Sequence, residues 1–446
     1  MDASQGLEQA ASLLREHDVH FVDLQFVDVV GAVKSVTVPA SDPVIALSQP
    51  AWVDGSSLEG AARFAETDMY LRPDVSTLAI MPNGDGRPVA RVMCDVLTPN
   101  GEPFLADPRQ VLRRAQAVAR QHHLSYQVTP EIEFFLCHRD DRGALHLVPN
   151  DAAGYFDKPI GRCAKVVDEI MAAARVVGVR IATAHHEIAP SQYEIDLQMG
   201  DALEVADAIV TLKSVARHIA SKHDLQATFM PKPFLGYAGS GMHTHQVLSN
   251  AHTGHNALDE AGQEYDLSKL GRHFIAGQLA HARGMCAILA PLANSYKRLI
   301  HAYEAPVYIT WARINHAALL RVPQGVSGKA NASTLELRCL DCGANPYLAF
   351  AVMLRAGLDG IETAADPPAP VEEHLHDLAR SRLEEMGVAM LPTSLEEALQ
   401  ELEWDPIVRD ALGPEVYDTF TAAKMLEWNE YRRQLTTWEI ERYRDI

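Results

Sequence analysis

Four short strand-like segments of this 446-residue chain each carry two polar or charged residues at positions i and i+2. In a strand this spacing places both side chains on one face, while the intervening residue points to the other face. The pairs are Glu131 and Glu133, Glu194 and Asp196, His243 and His245, and Glu336 and Arg338. So much charge on one sheet face is costly unless it is solvated, paired or bound to cations. The pattern therefore predicts a sheet-walled channel with a site for several metal ions.

Each pair taken alone is also typical of the solvent face of an amphipathic strand. However, Glu131, Glu133 and His243 are flanked by apolar residues or glycine, which favours an interior position. Glu187, a short way upstream of Glu194, adds another carboxylate. Carboxylates with one or two imidazoles suit Mg²⁺ or Mn²⁺ better than zinc, which usually prefers fewer ligands with nitrogen or sulfur.

Composition argues against several other classes of protein. The net charge of -20 opposes nonspecific binding to nucleic acid or anionic lipid. The first residues lack a secretory signal, and the most apolar stretch, 274–293, is interrupted by Gln278, His281 and Arg283, so we expect a buried helix rather than a membrane span. Six scattered cysteines form no disulfide framework, so we expect a cytoplasmic location. A single CxxC, at 339–342, is weak evidence for zinc, and we interpret it as structural.

The pattern of elements predicts an α+β fold in two domains. An initial helix and short β-like runs, such as the one at 21–26, predict a small strand-rich domain over 1–104. Asp107 followed by Pro108 is a typical helix start, so we place the boundary there and assign 105–446 to a mixed α+β domain. Near the carboxyl end, Ser394 and Glu397 have capping-box spacing, and a helix is expected over about 415–435.

Six motifs then carry a resemblance to a known family. In chain order they are VDGSS, PEIEFFL, AHHEIAPSQYEIDL, ATFMPKPFLGYAGSGMHTH, NSYKRLIHAYEAP and ELRCLDCGANPYLAFA. They resemble the successive signatures of type I glutamine synthetases and span about residues 20 to 443. The resemblance implies a small N-terminal β-grasp-like domain and a large catalytic domain with a curved antiparallel sheet and surrounding helices. It also implies a double-ring dodecamer with active sites between neighbouring subunits.

The same resemblance assigns roles to individual residues. It implies ATP as co-substrate and two or three Mg²⁺ or Mn²⁺ ions per site. The metal ligands would be Glu133, Glu187 and Glu194 for the first ion, and Glu131, His243 and Glu336 for the second. The nucleotide or its phosphates would contact His245, His316 and Arg321. The glutamate or the phosphoryl group would contact Gly239, Arg298 and Arg338.

The implied chemistry has two steps. The γ-carboxylate of L-glutamate attacks the terminal phosphorus of ATP to give γ-glutamyl phosphate, and ammonia or a small amine then displaces phosphate. Arg321 and Arg338 would stabilise the charge that develops during transfer. Asp54 and Glu304 match the positions that accept a proton from the amine, and Asp68 the position that helps bind ammonium. A neighbouring subunit would supply both aspartates.

Three positions depart from the family pattern. Ala238 stands where an asparagine helps hold the glutamate backbone, while His316 and Thr334 replace basic residues near the nucleotide. At the position of the tyrosine that is adenylylated in enteric enzymes this chain has His376, so we predict no adenylylation there. These departures leave open a γ-glutamylamide synthetase that uses methylamine, ethanolamine, isopropylamine or a polyamine in amine catabolism, beside ammonia as the first expectation.

Two other classes of protein can be distinguished from a ligase by assay. A catalytically silent structural relative is expected to lose metal ligands, yet all six candidates are present. A kinase that phosphorylates a guanidine or an amine on the same scaffold would need no glutamate.

Overall fold

The structure, a computed structural model, describes residues 3–55, 68–81, 88–158, 160–302, 305–324, 333–375, 378 and 380–446. Helices α1 to α14 are Ala3–Glu16, Pro43–Ser48, Pro108–Gln121, Arg162–Val176, Ala202–Lys222, Lys269–Ala280, Ala282–Leu289, Ser295–Arg298, Pro346–Glu362, Arg380–Glu385, Leu395–Trp404, Pro406–Leu412, Pro414–Tyr431 and Thr437–Tyr443. Strands β1 to β17 are Phe21–Val27, Val33–Pro39, Ala51–Asp54, Asp68–Pro73, Ala79–Met81, Val89–Leu97, Leu124–Arg139, Leu145–Leu147, Ile181–His186, Gln192–Leu197, Gly200–Asp201, Gln226–Thr228, Thr244–Asn250, Tyr308–Ala312, Ala318–Arg321, Leu335–Leu337 and Ala389–Met390. The predicted mixture of helices and strands is confirmed.

Six strands form the N-terminal sheet, in the order β2-β1-β6-β4-β3, with β5 also paired to β6. Strand β1 runs parallel to β6, and the other pairs are antiparallel. Alternate residues of β1, namely Val22, Leu24 and Phe26, are buried in a separate apolar cluster with residues of α1 and β6. The strand-rich region expected behind an initial helix is therefore present.

A second sheet of eleven strands carries the order β17-β14-β15-β16-β13-β7-β10-β9, with β8, β11 and β12 also paired to β7. Strand β7 has 16 residues and lies at the centre. The pairs are antiparallel except β14 with β15, so the expected antiparallel sheet contains one parallel pair. Ile132 and Phe134 of β7 are buried in the main apolar core, which leaves Glu131 and Glu133 on the opposite face.

Most expected helix boundaries agree with the structure. The Asp107 carboxylate accepts from the Arg109 backbone N–H at 3.0 Å at the start of α3, as Asp107 and Pro108 predicted. The stretch 274–293 was predicted as one buried helix, but it divides at His281 into α6 and α7. At this break the His281 ring lies between the carboxylates of Asp359 and Asp405, contacts that the apolar content of the segment does not indicate.

The carboxyl end departs further from expectation. Ser394 accepts from the Glu397 backbone N–H at 3.2 Å, but the Glu397 carboxylate accepts from the Thr393 N–H rather than from that of Ser394. The capping box is therefore only half formed. The final helix expected over about 415–435 ends at Tyr431 in α13, and α14 follows.

Two further expectations concern burial. All six cysteines are buried and free, and Cys342 Sγ lies 3.7 Å from the Glu133 carbonyl oxygen, in agreement with a packing role for the CxxC pair. Across the described ranges, no helix combines the length and the apolar character needed to cross a bilayer.

Candidate active site

Three neighbouring strands place charged side chains in two rows across one sheet face. Glu133 of β7 pairs with Glu194 of β10, which pairs with His185 of β9. One step along, Glu131 pairs with Asp196, which pairs with Thr183. Because residues two apart share a face, the strand register alone brings these rows together.

The rows form one wall of a cavity of about 840 Å³. Most of the residues predicted from the sequence line it, namely Glu131, Glu133, Glu187, Glu194, Gly239, His243, His245, Arg298, His316, Arg321, Glu336 and Arg338. Asp54 and Asp68 do not belong to the lining formed by the described residues; they face each other as Cα partners on β3 and β4. Glu304 and His376 lie outside the described residues.

One end of the cavity contains carboxylates that contact histidines and arginines. His243 Nδ1 lies 3.1 Å from one oxygen of Glu131, and His245 Nε2 lies 2.9 Å from the other. Arg321 donates to Glu336 at 2.8 Å, and Arg338 donates to the other oxygen of Glu336. These contacts balance much of the negative charge at the Glu131–Glu336 end.

The opposite end, around Glu187 and Glu194, has fewer counter-charges. His185 Nε2 lies 3.1 Å from Glu194 and is the nearest basic group among the described residues. Burial raises the pKa of Glu194 to about 11, with the Glu133 and Glu131 carboxylates adding to the effect. Burial, followed by the charge of Glu133, also raises the pKa of Glu187 to about 8.

The pKa values at the paired end shift the other way. Burial opposes ionisation of Glu131, but hydrogen bonds with His243 and His245 outweigh it and lower the pKa. For Glu336, burial is again outweighed, here chiefly by the charge of Arg338, and the pKa is lowered. The carboxylates at one end are thus stabilised by the chain itself, whereas those at the other end repel one another.

Thr334 has a specific contact in this site. Its hydroxyl lies 3.0 Å from His245 Nδ1, while His245 Nε2 faces Glu131. Burial alone would lower the pKa of His245, but the bond to Glu131 raises it. Thr334 therefore fixes the orientation of the His245 ring. The basic residue of the family pattern would contribute a charge at this position instead.

Gly239 lies where a side chain would not fit. A Cβ at this position would collide with the Pro231 carbonyl oxygen and would lie 3.0 Å from Arg298 Cγ. The Gly239 carbonyl accepts from Gln192 Nε2 at 3.1 Å, and the same amide group donates to Glu133 at 3.1 Å. Gln192 therefore ties the glycine segment to the carboxylate wall.

Arg298 is 8% exposed and is held by backbone carbonyls. It donates to the carbonyls of Cys339 and Arg338, each at 3.1 Å, and its Nη2 lies 3.4 Å from His243. The guanidinium is thus oriented without a carboxylate partner among the described residues, which leaves its charge available to an anionic substrate.

The donor groups fit divalent cations that prefer oxygen ligands. Ligand atoms of Glu131, His245 and Glu336 lie within 4.8 Å of one another, and so do those of His185, Glu194 and Asp196. Carboxylate oxygens with an imidazole match Mg²⁺ or Mn²⁺, and the mutual repulsion at Glu187 and Glu194 is relieved by bound cations. His245 is as close to the Glu131–Glu336 group as His243, which the sequence alone did not predict.

Several lining residues were not selected as site residues from the sequence. The strand period placed Asp196 on this face but gave it no role, and the β9–β10 register adds His185 beside Glu194. Tyr155 and Phe156 belong to a loop with no periodicity; their rings lie 5.3 Å and 4.8 Å from that of His185. They give the carboxylate-rich end of the cavity an aromatic edge.

Comparisons with known proteins agree with this arrangement. The family model described as the glutamine synthetase catalytic domain matches residues 105–443, and that of the glutamine synthetase beta-Grasp domain matches residues 18–99. The chain belongs to the glutamine synthetase family. The resemblance drawn from the motifs is confirmed, as are the β-grasp and catalytic parts; the exact boundary at 104/105 stays a prediction.

Individual relatives cover nearly the whole chain. Glutamine synthetase from Thermus thermophilus is 44% identical over 96% of this chain and 97% of its own, and that from Thermotoga maritima is 41% identical over 98% and 99%. A solved structure of GmaS in complex with ADP matches with a TM-score of 0.87 at 31% identity, over 98% of this chain and 99% of that one. Members of the glutamine synthetase family are ATP-dependent ligases that use divalent metal ions, and the chain is a ligase of this class.

Proposed function

We propose that this ligase joins the γ-carboxylate of L-glutamate to ammonia through γ-glutamyl phosphate, with ATP as the co-substrate. The observation that carries the proposal is the cavity that combines a carboxylate-lined sheet face with Arg298, Arg321 and Arg338. The 44% identity to the Thermus thermophilus glutamine synthetase supports ammonia as the nitrogen donor.

We assign one set of metal ligands to each end of the cavity. Glu133, Glu187 and Glu194 would hold one ion, and Glu131, His243 and Glu336 the other. Mg²⁺ or Mn²⁺ bound there supplies positive charge to the phosphates and to the developing phosphoryl group.

The arginines and histidines provide the remaining contacts. Arg298, held by two backbone carbonyls, would orient an anionic group of glutamate beside Gly239. Arg321 and Arg338 would neutralise charge on the transferred phosphoryl group, since a guanidinium donates two parallel hydrogen bonds to phosphate oxygens. His245 and the exposed His316 would contact the nucleotide.

Proton removal from the incoming amine requires an additional base. Glu304 and Asp54 are our candidates, with Asp68 beside Asp54 to attract ammonium. Since neither aspartate lines the cavity formed by the described residues of one chain, we infer that a neighbouring subunit supplies them, as a ring-shaped oligomer such as a dodecamer allows.

A small organic amine is the second candidate substrate. Ala238 lines the cavity where a larger polar side chain is the family pattern, and Tyr155 and Phe156 add aromatic surface near Glu187. Aromatic faces beside carboxylates suit an alkylammonium ion, because they bind both its charge and its apolar substituent. The likeness to GmaS, at lower identity, is compatible with this alternative.

An amine screen separates the possibilities. The protein is incubated with ATP, glutamate and Mg²⁺ or Mn²⁺ plus ammonia, methylamine, ethylamine, isopropylamine, ethanolamine or putrescine, and products are identified by mass. We expect glutamine from ammonia with the highest kcat/KM. A higher kcat/KM for an organic amine contradicts this and supports the second candidate.

Two controls address the other classes. Omission of glutamate should abolish ADP release, whereas a kinase acting on the amine would continue. Background ADP release with every amine would contradict both ligase proposals. Ala238→Asn should lower turnover of the larger amines relative to ammonia if the open space at position 238 admits them.

A further inference from the structure

A second cavity, of about 460 Å³, lies between the N-terminal sheet and the catalytic part of the chain. Its walls come from β6, from the segment after β4, from α3 and α5, and from the turn between α4 and β9. It shares no lining residue with the active-site cavity. Four arginines face it, namely Arg91, Arg109, Arg113 and Arg180.

The carboxylates of this second cavity already have partners. Asp74 and Asp207 accept from Arg109 at 3.0 Å and 2.9 Å. Asp201 caps α5 by accepting from the Leu203 backbone N–H at 2.9 Å. Glu204 lies 3.6 Å from Arg180. The acidic side chains that line the cavity are therefore committed to other groups.

Arg91 is the exception among the four arginines. It is 5% exposed, and its Nη2 donates to the Thr211 hydroxyl at 2.7 Å. Its Nε and Nη1 find no acceptor, and no carboxylate oxygen lies within 4.0 Å of it, among the residues that the structure describes. A buried guanidinium without a counter-ion is unfavourable, because burial removes its hydration without replacing it.

The pKa of Arg91 reflects the same lack of a direct counter-charge. Burial lowers its pKa, and the charge of Asp207 only partly opposes this effect. Arg113 and Arg180 also line the cavity, with 36% and 58% of their side chains exposed. They contact Asp95 at 3.2 Å and Glu204 at 3.6 Å, and they would exchange these contacts for contacts with a bound anion. An anion would thus meet one fixed cation and two adjustable ones.

We propose that this cavity is a regulatory site for a small carboxylate anion, which Arg91 recognises together with Arg113 and Arg180. A planar carboxylate matches the flat guanidinium and would give Arg91 the direct carboxylate partner that it lacks among the described residues. A phosphate shares the charge but not the planar shape, so it serves as the comparison ligand.

The two cavities are connected by a pair of strands. Strand β9 begins directly after Arg180 at the second cavity and ends near His185 in the active site. Strand β10 runs back from Glu194 to Leu197, which lines the second cavity. A ligand that holds one end of this strand pair therefore acts on residues beside the metal site, and binding at the two sites is coupled in both directions.

Calorimetric titration of the full-length protein with acetate, malonate or succinate tests the binding site. Arg298→Gln serves as the background, because Arg298 is the arginine that we expect to bind a carboxylate in the active site. We expect saturable binding that Arg91→Gln weakens by about tenfold or more and Arg91→Lys partly restores. Arg15→Gln, on the exposed face of α1, is the matched control and should leave the affinity unchanged.

Each result of this titration either supports or overturns the proposed anion site. Equal affinity in Arg91→Gln and its parent, no saturable binding in the Arg298→Gln background, or tighter binding of phosphate than of every carboxylate overturns the proposal. If Arg91→Gln does not fold, the exposed Arg180→Gln replaces it, with a smaller loss of affinity expected and unchanged affinity as the contrary result.

The regulatory part is tested by Mn²⁺ binding with and without saturating succinate. We expect the apparent Mn²⁺ affinity to change by about fivefold in the wild type and not in Arg91→Gln. This comparison also corrects for weak chelation of Mn²⁺ by succinate. An equal change in both proteins contradicts regulation through this cavity, and neither result depends on which amine the ligase uses.

Discussion

Two dense clusters of charge in this protein differ in how they are balanced. In the first, Arg109 is 1% exposed and contacts Asp74, Asp95 and Asp207 at 2.9 to 3.1 Å. In the second, Glu187 and Glu194 lie close to other carboxylates of the active site, and their pKa values are raised. The first cluster joins the N-terminal sheet to α3 and α5, whereas the second lines an open cavity.

The difference distinguishes a structural cluster from a binding cluster. A buried charge that finds its counter-charges within the chain stabilises one arrangement of the chain. A group of like charges without enough counter-charges is unfavourable until a ligand of opposite sign binds. The same criterion singles out Arg91, which has no carboxylate within 4.0 Å among the described residues, whereas its neighbour Arg109 contacts three.

The largest effect is expected from removing a carboxylate of the binding cluster. Glu133→Ala or Glu336→Ala should reduce metal-dependent turnover by more than the roughly 10- to 100-fold typical for loss of an outer-shell partner, because a direct ligand is lost. ADP release and the oligomeric state are measured together, and assembly should persist.

Glu8→Ala, on the exposed face of α1, is the control for these variants and should keep full activity. Full activity in Glu133→Ala or Glu336→Ala would refute the proposed ligands. Loss of both assembly and activity would show that these residues stabilise the protein structure rather than only bind metal.

Arg109→Met should act on stability instead. It leaves three carboxylates without their shared cation, so we expect the free energy of unfolding to fall by about 3–5 kcal/mol. Denaturant unfolding in the absence of metal measures this change, with Arg15→Gln as the exposed control. An unchanged unfolding midpoint would remove the basis for calling this cluster structural.

His281 provides a pH-dependent test of whether a partly buried charge is paired within the chain. Burial alone would lower its pKa, but hydrogen bonds with Asp405 and Asp359 at 2.9 and 3.1 Å raise it. Its stabilising charge is therefore fully present below the usual histidine pKa of about 6.5 and is lost as the pH rises through the raised value. His281→Gln should cost more unfolding free energy at pH 6 than at pH 9, and equal costs would contradict a charged His281.

The smallest effect is expected at Thr334. Thr334→Val removes one hydrogen bond to His245. Such a bond typically contributes about 1 kcal/mol, so the KM for ATP should rise by no more than about fivefold. Steady-state kinetics with varied ATP measures it. A loss of kcat as large as that of Glu336→Ala would show that Thr334 does more than orient the ring.

The sequence predicted the binding cluster better than the structural one. The two-residue period of a strand identifies Glu131 and Glu133 from the sequence alone, without knowledge of the rest of the fold. Arg109 and Asp207 are 98 positions apart and meet only through the packing of α3 on α5, so no local pattern indicates their contact.

The same reasoning explains what was missed around the site. The partnership of His185 with Glu194 depends on the register between β9 and β10. Tyr155 and Phe156 reach the cavity from a loop, where periodicity gives no information. The break at His281 coincides with its contacts to two aspartates far along the chain, whereas the apolar content of 274–293 favoured one continuous helix.

The most direct test of the central claim is a count of Mn²⁺ ions bound per chain by equilibrium dialysis. We predict more than one ion per wild-type chain, with one fewer in Glu194→Gln and one fewer in Glu336→Gln, because the two residues belong to opposite ends of the cavity. The same number of bound ions in the wild type and both variants would contradict a metal site on this sheet face.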